Sequence, residues 1–152
     1  MIRPVLLVCL SLCSVSSTFA QDVVGDSALT LLHERTTQFL DAVSLNRTET
    51  ALKDMISGGP LEKQTEAIKS LSTKIRGLES KYGACRGVDR IDARRLGKDV
   101  VLTRYLYKCE KFPVVWYFTY YRDFKRTDLA PETESWILIA VRFDTDIELL
   151  GF

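Results

Sequence analysis

The spacing of the hydrophobic residues changes near Gly83, from a helical period to the period of β-strands. Before Gly83, apolar residues recur every three to four positions in three stretches, which predicts three helices. After Gly83, apolar and aromatic residues fill four runs separated by turn residues, which predicts strands. Helices followed by strands predict one α+β domain, with three N-terminal helices packed on an antiparallel sheet.

The first two predicted helices begin at residues that favour helix N-termini. Asp26 or Ser27 can cap the first helix, and Asn46 or Thr48 can cap a short second helix. We expect the second helix to end at the glycine–glycine–proline sequence 58–60, because these residues interrupt helices.

The third predicted helix has the most regular apolar seam in the chain. Pro60 opens it and Gly83 is placed to close it. Its seam consists of Leu61, Ile68, Leu71, Ile75, Leu78 and Tyr82. Coiled coils have seams of this kind, but this one ends after about three heptads, where the strand pattern begins. Packing on a sheet is therefore the favoured interpretation.

The strand pattern predicts four strands and allows a fifth. They cover residues 84–95, 100–109, 114–124 and 136–144, and the tail 147–152 can add one more. The Gly97-Lys98 turn predicts a hairpin between the first two strands. A hairpin centred on this turn places Cys85 opposite position 109 or 110.

The first twenty residues have the pattern of a secretory signal peptide. Arg3 precedes an apolar run over 4–15, and Thr18-Phe19-Ala20 places a small residue at the cleavage point. The run is shorter than the roughly 20 residues that span a bilayer, and a retained anchor is the alternative. We therefore expect a signal at 1–20, one domain at 21–152, and a periplasmic or secreted protein with no membrane span after signal removal.

Two cysteines, Cys85 and Cys109, remain after removal of the signal. An even number of cysteines in an oxidising compartment favours a disulfide, and the hairpin brings this pair side by side. Two buried, reduced thiols are the alternative. No metal site is expected, because the single histidine, His33, is distant in sequence and fits a solvated position on a helix.

The charges of the chain are balanced and interspersed. The sequence has 21 basic and 20 acidic residues, and loss of Arg3 with the signal makes the two numbers equal. Such a chain has no electrostatic footprint for nucleic acid or for an anionic membrane, so neither is an expected partner. The sequence also has no phosphate-binding loop, nucleophile elbow or zinc motif, and no cofactor is expected.

The third predicted strand is apolar or aromatic on both faces. Trp116, Phe118 and Tyr120 form one face, and Val115, Tyr117 and Tyr121 form the other. The fourth strand has a continuous apolar face made of Ile137, Ile139, Val141 and Phe143. A strand that is apolar on both faces needs cover on both, and three helices cover only one. A second copy or a ligand is therefore expected, with Trp116, Phe118 and Tyr120 as interface or pocket residues.

Two segments of the strand region carry a resemblance to a known family. They are Pro-Val-Val-Trp-Tyr-Phe-Thr-Tyr-Tyr-Arg at 113–122 and Trp-Ile-Leu-Ile-Ala-Val-Arg-Phe at 136–143. Together with the helices, from residue 27 to 152, they resemble small, exported, uncharacterised members of the nuclear transport factor 2-like superfamily, which has a cone-shaped α+β fold. The resemblance implies a curved antiparallel sheet of four to five strands, a homodimer formed through the sheet, and a ligand pocket between sheet and helices.

The superfamily that this chain resembles includes isomerases and dehydratases that use a carboxylate base and hydrogen-bonding tyrosines. If the hairpin pairs Cys85 with Cys109, Asp89 is expected opposite Tyr105. An even register in the next turn then puts Tyr105 opposite Tyr117. A carboxylate beside two phenols can act as a base with an oxyanion partner. The alternative is that both tyrosines are ordinary strand residues and Asp89 is solvated, since a slip of one residue moves Asp89 to the other face.

The sequence thus favours an exported, non-catalytic binding or assembly module of the cell envelope that forms a homodimer. One alternative is a small isomerase- or dehydratase-like enzyme with Asp89, Tyr105 and Tyr117 as its catalytic candidates. Another is a binder of small apolar ligands. Both alternatives would use the pocket between the sheet and the helices.

Overall fold

The computed structural model describes residues 24–124 and 135–146. The predicted signal peptide at 1–20, the start of the predicted domain and the possible fifth strand at 147–152 lie outside the described residues. The helical elements are α1 Val24–Ser44, α2 Thr48–Ile56, a 3₁₀ turn Pro60–Lys63, α3 Thr65–Arg76 and α4 Leu78–Tyr82. The strands are β1 Cys85–Leu96, β2 Val100–Cys109, β3 Val114–Arg122 and β4 Trp136–Asp144.

The predicted α+β class is confirmed. The helices precede a four-stranded antiparallel sheet in which neighbouring strands follow one another in the order β1-β2-β3-β4. The helices pack on this sheet, which is not strongly curled. A meander of this kind needs only short connections, because consecutive antiparallel strands can be joined by tight turns.

The third predicted helix is divided into three pieces. Pro60 opens the 3₁₀ turn, Gln64 separates that turn from α3, and Gly77 separates α3 from α4. Glycine is a poor helix former, which accounts for the break at position 77. Gly83 ends α4 as predicted: its φ is 87°, and its N–H donates to the Glu79 carbonyl at 2.8 Å.

One face of the sheet forms the core and is called the inner face below. Its buried residues are Val101, Thr103, Tyr105 and Tyr107 of β2, Val114, Trp116, Phe118 and Tyr120 of β3, and Trp136 and Leu138 of β4. Helix α1 covers this face, with the Phe39 ring edge-on to Trp116 at 5.7 Å and to Phe118 at 5.8 Å. The aromatic residues of β3 thus fill the space between the sheet and α1.

The register of the first hairpin agrees with the prediction only near its open end. Cys85 lies opposite Cys109, as the turn predicted. A bulge between Cys85 and Val88 then shifts the pairing, so that Asp89 lies opposite Leu106. The expected pairing of Asp89 with Tyr105 is therefore wrong. The extra residue lies in the segment that contains Gly87, whose φ of 150° is unusual for other residues.

The β2–β3 pairing and the face of β4 also differ from the prediction, each by one residue. Tyr105 lies opposite Trp116, so Tyr117 is on the outer face of the sheet, opposite Arg104. In β4, an irregularity leaves Ile139 unpaired and shifts the pairing with β3 by one residue, so that the side chains on either side of Ile139 change faces relative to the prediction. The predicted continuous apolar face of Ile137, Ile139, Val141 and Phe143 is therefore wrong. The inner face of β4 carries Trp136, Leu138, Val141 and Phe143.

Candidate functional site

Helix α1 presents two polar side chains to the tyrosines of the inner face. His33 Nδ1 lies 2.8 Å from the Tyr105 hydroxyl, and the Thr36 hydroxyl lies 2.6 Å from the Tyr120 hydroxyl. Thr36 also donates to the Leu32 carbonyl at 2.7 Å. His33 and Thr36 are three residues apart and so share one side of the helix. The expectation that His33 is solvated is wrong, because the ring is half-buried and bonded to Tyr105.

The two tyrosines are held in their neutral form. Burial raises the pKa of Tyr105 and of Tyr120, and the hydrogen bond to Thr36 opposes this only in part. A neutral phenol that is bonded to a threonine or a histidine satisfies a buried polar atom without adding charge to the core. This cluster therefore stabilises the contact between α1 and the sheet.

The three catalytic candidates are not brought together. The Asp89 side chain is 60% exposed and forms an ion pair with Lys108, with Oδ2 and Nζ 2.8 Å apart. Tyr105 is fully buried on the inner face, whereas Tyr117 is on the outer face. A base and its oxyanion partner must both reach one substrate, and these three side chains have no common space.

Trp116, Phe118 and Tyr120 are fully buried inside one chain. Trp116 lies against Phe143, with ring centroids 4.9 Å apart, and parallel to Phe118 at 5.8 Å. The structure places these three predicted interface or pocket residues in the core beneath α1. The sequence pattern predicted that β3 is apolar on both faces. The face of β3 that α1 leaves uncovered is the outer one, which carries Tyr117 and Tyr121.

The two cysteines are neighbours on adjacent strands. Cys85 and Cys109 are half-buried free thiols in this structure. Burial is the main cause that raises the pKa of Cys109 to about 11, and the nearby Cys85 raises it further. Directly opposed residues of an antiparallel pair have Cα atoms about 4.5–5.5 Å apart, within the range that a disulfide spans. The predicted disulfide remains a prediction, with a backbone arrangement that suits it.

The outer face of the sheet carries four rows of side chains that run across all four strands. From β1 to β4 they are Leu96–Val100–Tyr121–Ile137, Arg94–Leu102–Thr119–Ala140, Asp92–Arg104–Tyr117–Arg142 and Asp89–Leu106–Val115–Asp144. The first row is apolar or aromatic throughout and is called the apolar row below. The third is called the charged row. Contiguous apolar surface that is left exposed is a feature of contact sites, so the exposure of this row decides whether it could be one.

The apolar row is accessible. Leu96 is 45% exposed and Tyr121 is 38% exposed. The ring of Phe124, which is also exposed, lies edge-on to Tyr121 at 5.9 Å and extends the row beyond β3. Val115, in the fourth row, is fully buried. The accessible apolar part of the outer face is therefore the end that carries Leu96 and Tyr121.

The charged row is compensated within the chain. Arg104 Nε donates to Asp92 Oδ1 at 2.8 Å, and a second guanidinium nitrogen pairs with Oδ2. The hydrogen bond from Arg104 lowers the pKa of Asp92. The Arg142 guanidinium lies 4.3 Å from the centre of the Tyr117 ring, a cation–π contact. Each side chain of this row therefore has a partner beside it.

Within the described residues, no group of three or more His, Cys, Asp and Glu side chains is arranged to hold a metal ion. None of the helices in residues 24–124 has the length and apolarity that a membrane crossing requires. Comparisons with protein-family models, with curated proteins and with solved structures give no match. The functional interpretation therefore depends on the geometry of the chain itself.

Proposed function

We propose that this protein is an exported, non-catalytic assembly module of the cell envelope that forms a homodimer through the outer face of its sheet. The observation that carries the proposal is the accessible apolar row, Leu96–Val100–Tyr121–Ile137, which crosses all four strands. Contact surfaces combine aromatic and aliphatic residues at their centre with polar residues around them. The outer face carries both kinds of residue, with the apolar row at one end of the face and the charged row nearer its middle. The separation of Asp89, Tyr105 and Tyr117 supports the non-catalytic form of the proposal.

Twofold symmetry suits the apolar row and the charged row of this face, whereas in the fourth row it sets Asp89 opposite the partner's Asp144. A twofold axis parallel to the strands places β1 of one copy on β4 of the other, as in aligned sheet packing. Asp92 then faces the partner's Arg142, and Arg104 faces the partner's Tyr117. In the apolar row, Leu96 faces the partner's Ile137. The charged row and the apolar row thus each meet their own copy with complementary chemistry.

The order of helices and strands supports a relationship with the nuclear transport factor 2-like superfamily, whose members often dimerise through the sheet. In this proposal, the chain shares that mode of assembly. The predicted signal peptide supports export. In an oxidising compartment, Cys85 and Cys109 would form a disulfide that closes a loop of 25 residues, with a stabilisation of about 3.5 kcal/mol.

The test of this proposal compares two charged substitutions. Tyr121→Asp places a carboxylate in the middle of the apolar row, and Leu45→Asp places one at an exposed leucine just after α1. Native mass spectrometry of the exported protein should show dimers for the wild type and for Leu45→Asp, and monomers for Tyr121→Asp. Circular dichroism should show that both variants are folded. A folded Tyr121→Asp variant that stays dimeric would rule out this face as the interface.

A further inference from the structure

The two edge strands of the sheet, β1 and β4, differ in how they are protected against pairing with other strands. Six of the twelve residues of β1 are charged, and charged side chains keep a free edge from accepting a further strand. β4 instead begins with six consecutive apolar residues, 136–141. A long apolar edge strand favours aggregation unless another element covers it. The edge of β4 therefore needs a cover.

The chain between α2 and α3 covers β4 near its start. A Cβ atom at Gly59 would lie 3.1 Å from the Leu138 carbonyl oxygen, so the backbone of Gly59 packs against β4 at this position. The 3₁₀ turn that follows Gly59 also contacts β4. Beyond Leu138, β4 borders a groove that separates it from α3, which we call the α3–β4 groove.

The α3–β4 groove follows both of the elements that form it. On the helical side, most lining residues recur every three or four positions from Leu61 to Lys74, which places them on one side of the 3₁₀ turn and α3. On the sheet side, the lining consists of five consecutive β4 residues, 139–143. The volume of the groove is about 540 Å³. An elongated groove beside the backbone of an edge strand suits an added β-strand.

The chain bends directly after β4. Asp144 Oδ1 accepts from the Thr145 N–H at 2.7 Å and from the Asp146 N–H at 3.1 Å, and the bend lies at Thr145. An aspartate that bonds the backbone two residues on forms an Asx turn, which mimics a backbone turn. Because β3 occupies one edge of β4, a strand that returns along β4 after this turn can pair only with the other edge.

The next residues have a sequence that suits this edge. Residues 147–152 are Ile-Glu-Leu-Leu-Gly-Phe, and with a two-residue turn they run back beside 144–139. Directly opposed residues of an antiparallel pair share one face of the sheet. Leu150 therefore comes beside Val141 on the inner face, whereas Leu149 comes on the outer face.

The charges of the groove match those of this segment. Of the described residues that line the groove, Lys74 and Arg142 alone are charged, and Arg142 lies over the Tyr117 ring. Lys74 is in the last turn of α3, towards the end of the groove that carries Phe143. Glu148 is the single charged residue of 147–152 and comes opposite Phe143 in this register. The carboxylate of Glu148 is thus expected beside the Lys74 ammonium group.

We propose that residues 147–152 form a fifth strand that pairs with the edge of β4 and fills the α3–β4 groove of the same chain. Leu150 packs beside Val141, and Glu148 pairs with Lys74. The added strand closes the apolar edge, which confines contacts between copies of the chain to the outer face. This inference concerns the edge of the sheet and goes beyond the proposed assembly function, on which it does not depend.

The test is hydrogen exchange of the exported protein, measured by mass spectrometry on fragments that contain residues 147–152. The amides of this segment that bond β4 should exchange at least about tenfold more slowly than those of a free synthetic peptide with the sequence of 145–152. Exchange at the rate of the free peptide would overturn the proposal.

Two neighbouring substitutions identify the face that enters the groove. Leu150→Asp places an unpaired carboxylate in the apolar groove and should bring the exchange of 147–152 close to that of the free peptide. Leu149→Asp places the same charge on the outer face and should keep the protection of the wild type. Circular dichroism should show that both variants are folded. Equal exchange in the two variants would overturn the proposal.

The predicted ion pair has its own test. Glu148→Lys should speed the exchange of the segment about two- to fivefold, as expected for an exposed pair. The double variant Glu148→Lys with Lys74→Glu should recover the protection, because the two charges are exchanged. A double variant that exchanges as fast as Glu148→Lys would rule out this register of the fifth strand.

Dilution shows whose segment occupies the groove. Protection should be the same at every protein concentration, and Tyr121→Asp should keep it, because the strand belongs to the same chain. Protection that disappears on dilution would assign the groove to residues 147–152 of a second copy and overturn the proposal. Loss of the dimer in Tyr121→Asp thus reports on the outer face, and loss of protection reports on the α3–β4 groove.

Discussion

The two faces of the sheet differ in how far their apolar side chains are buried within one chain. On the inner face, Trp116 and Phe118 are fully buried against Phe39 of the same chain. On the outer face, Leu96 and Tyr121 are partly exposed. Both faces are rich in apolar and aromatic residues, yet only one is covered by α1. The difference teaches that the inner face holds one chain together, whereas the apolar row of the outer face is left partly exposed and is the surface on which the proposed assembly depends.

Matched aromatic truncations on the two faces should differ most in their effect on stability. Phe118→Ala should lower the free energy of unfolding by about 3–5 kcal/mol, because it leaves a cavity among fully buried rings. Tyr121→Ala should lower it by less than about 1 kcal/mol in the monomer, because that ring is partly exposed. Urea denaturation of dilute protein measures both values. Equal losses would show that the two faces are packed alike.

The hydrogen bonds beneath α1 give the next largest effect. Thr36→Val removes the partner of the Tyr120 hydroxyl and leaves that buried donor unsatisfied, which should cost about 1–3 kcal/mol. The double variant Thr36→Val with Tyr120→Phe should recover part of the loss, since neither position then carries a buried polar group. Urea denaturation of the two single variants and the double variant measures this coupling. Additive losses would show that the hydroxyls do not interact.

Alkaline pH should weaken the inner face. Burial raises the pKa of Tyr105 and Tyr120 above their ordinary value of about 10. A raised pKa means that folding favours the neutral phenol, so the stabilisation is complete below the unfolded pKa and is lost as the pH rises above it. The free energy of unfolding should fall above about pH 10, and less steeply in Tyr120→Phe. An identical slope in that variant would contradict the assignment to Tyr120.

The smallest effect belongs to the ion pair of the outer face. The pKa of Asp92 is lowered by Arg104, so its contribution is present above the ordinary value near 3.8 and is lost as the pH falls through the folded pKa. Because Asp92 is about one-third exposed, Asp92→Asn should cost no more than about 1 kcal/mol in the monomer. A double-mutant cycle with Arg104→Gln measures the pair. A larger coupling energy would show that this row is more strongly desolvated than the monomer indicates.

The α+β class and most strand boundaries could be predicted from the sequence. The change of hydrophobic period at Gly83 and the turn at Gly97-Lys98 are local signals, and the turn placed Cys85 opposite position 109 or 110, where the structure has Cys109. The faces of the strands were less predictable. One unpaired residue, such as Ile139, reverses every following side chain, and the strand pattern carried no signal for it.

The prediction that Asp89, Tyr105 and Tyr117 share one site was wrong for the same reason. Asp89 and Tyr117 each lie one position from the expected register, which moves them away from Tyr105. Thr36 did have a sequence signal, since it lies four residues after Leu32 and three before Phe39 on the predicted apolar face of the first helix, whereas His33 was expected to be solvated. Which strand residues they bond was unpredictable, because that depends on tertiary packing.

Sedimentation equilibrium of the exported wild-type protein over a range of concentrations tests the central claim most directly. We expect a reversible association to the mass of two chains that Tyr121→Asp abolishes and Leu45→Asp preserves. A wild-type protein with the mass of one chain at every concentration would contradict it, because the apolar row would then have no second copy to cover it.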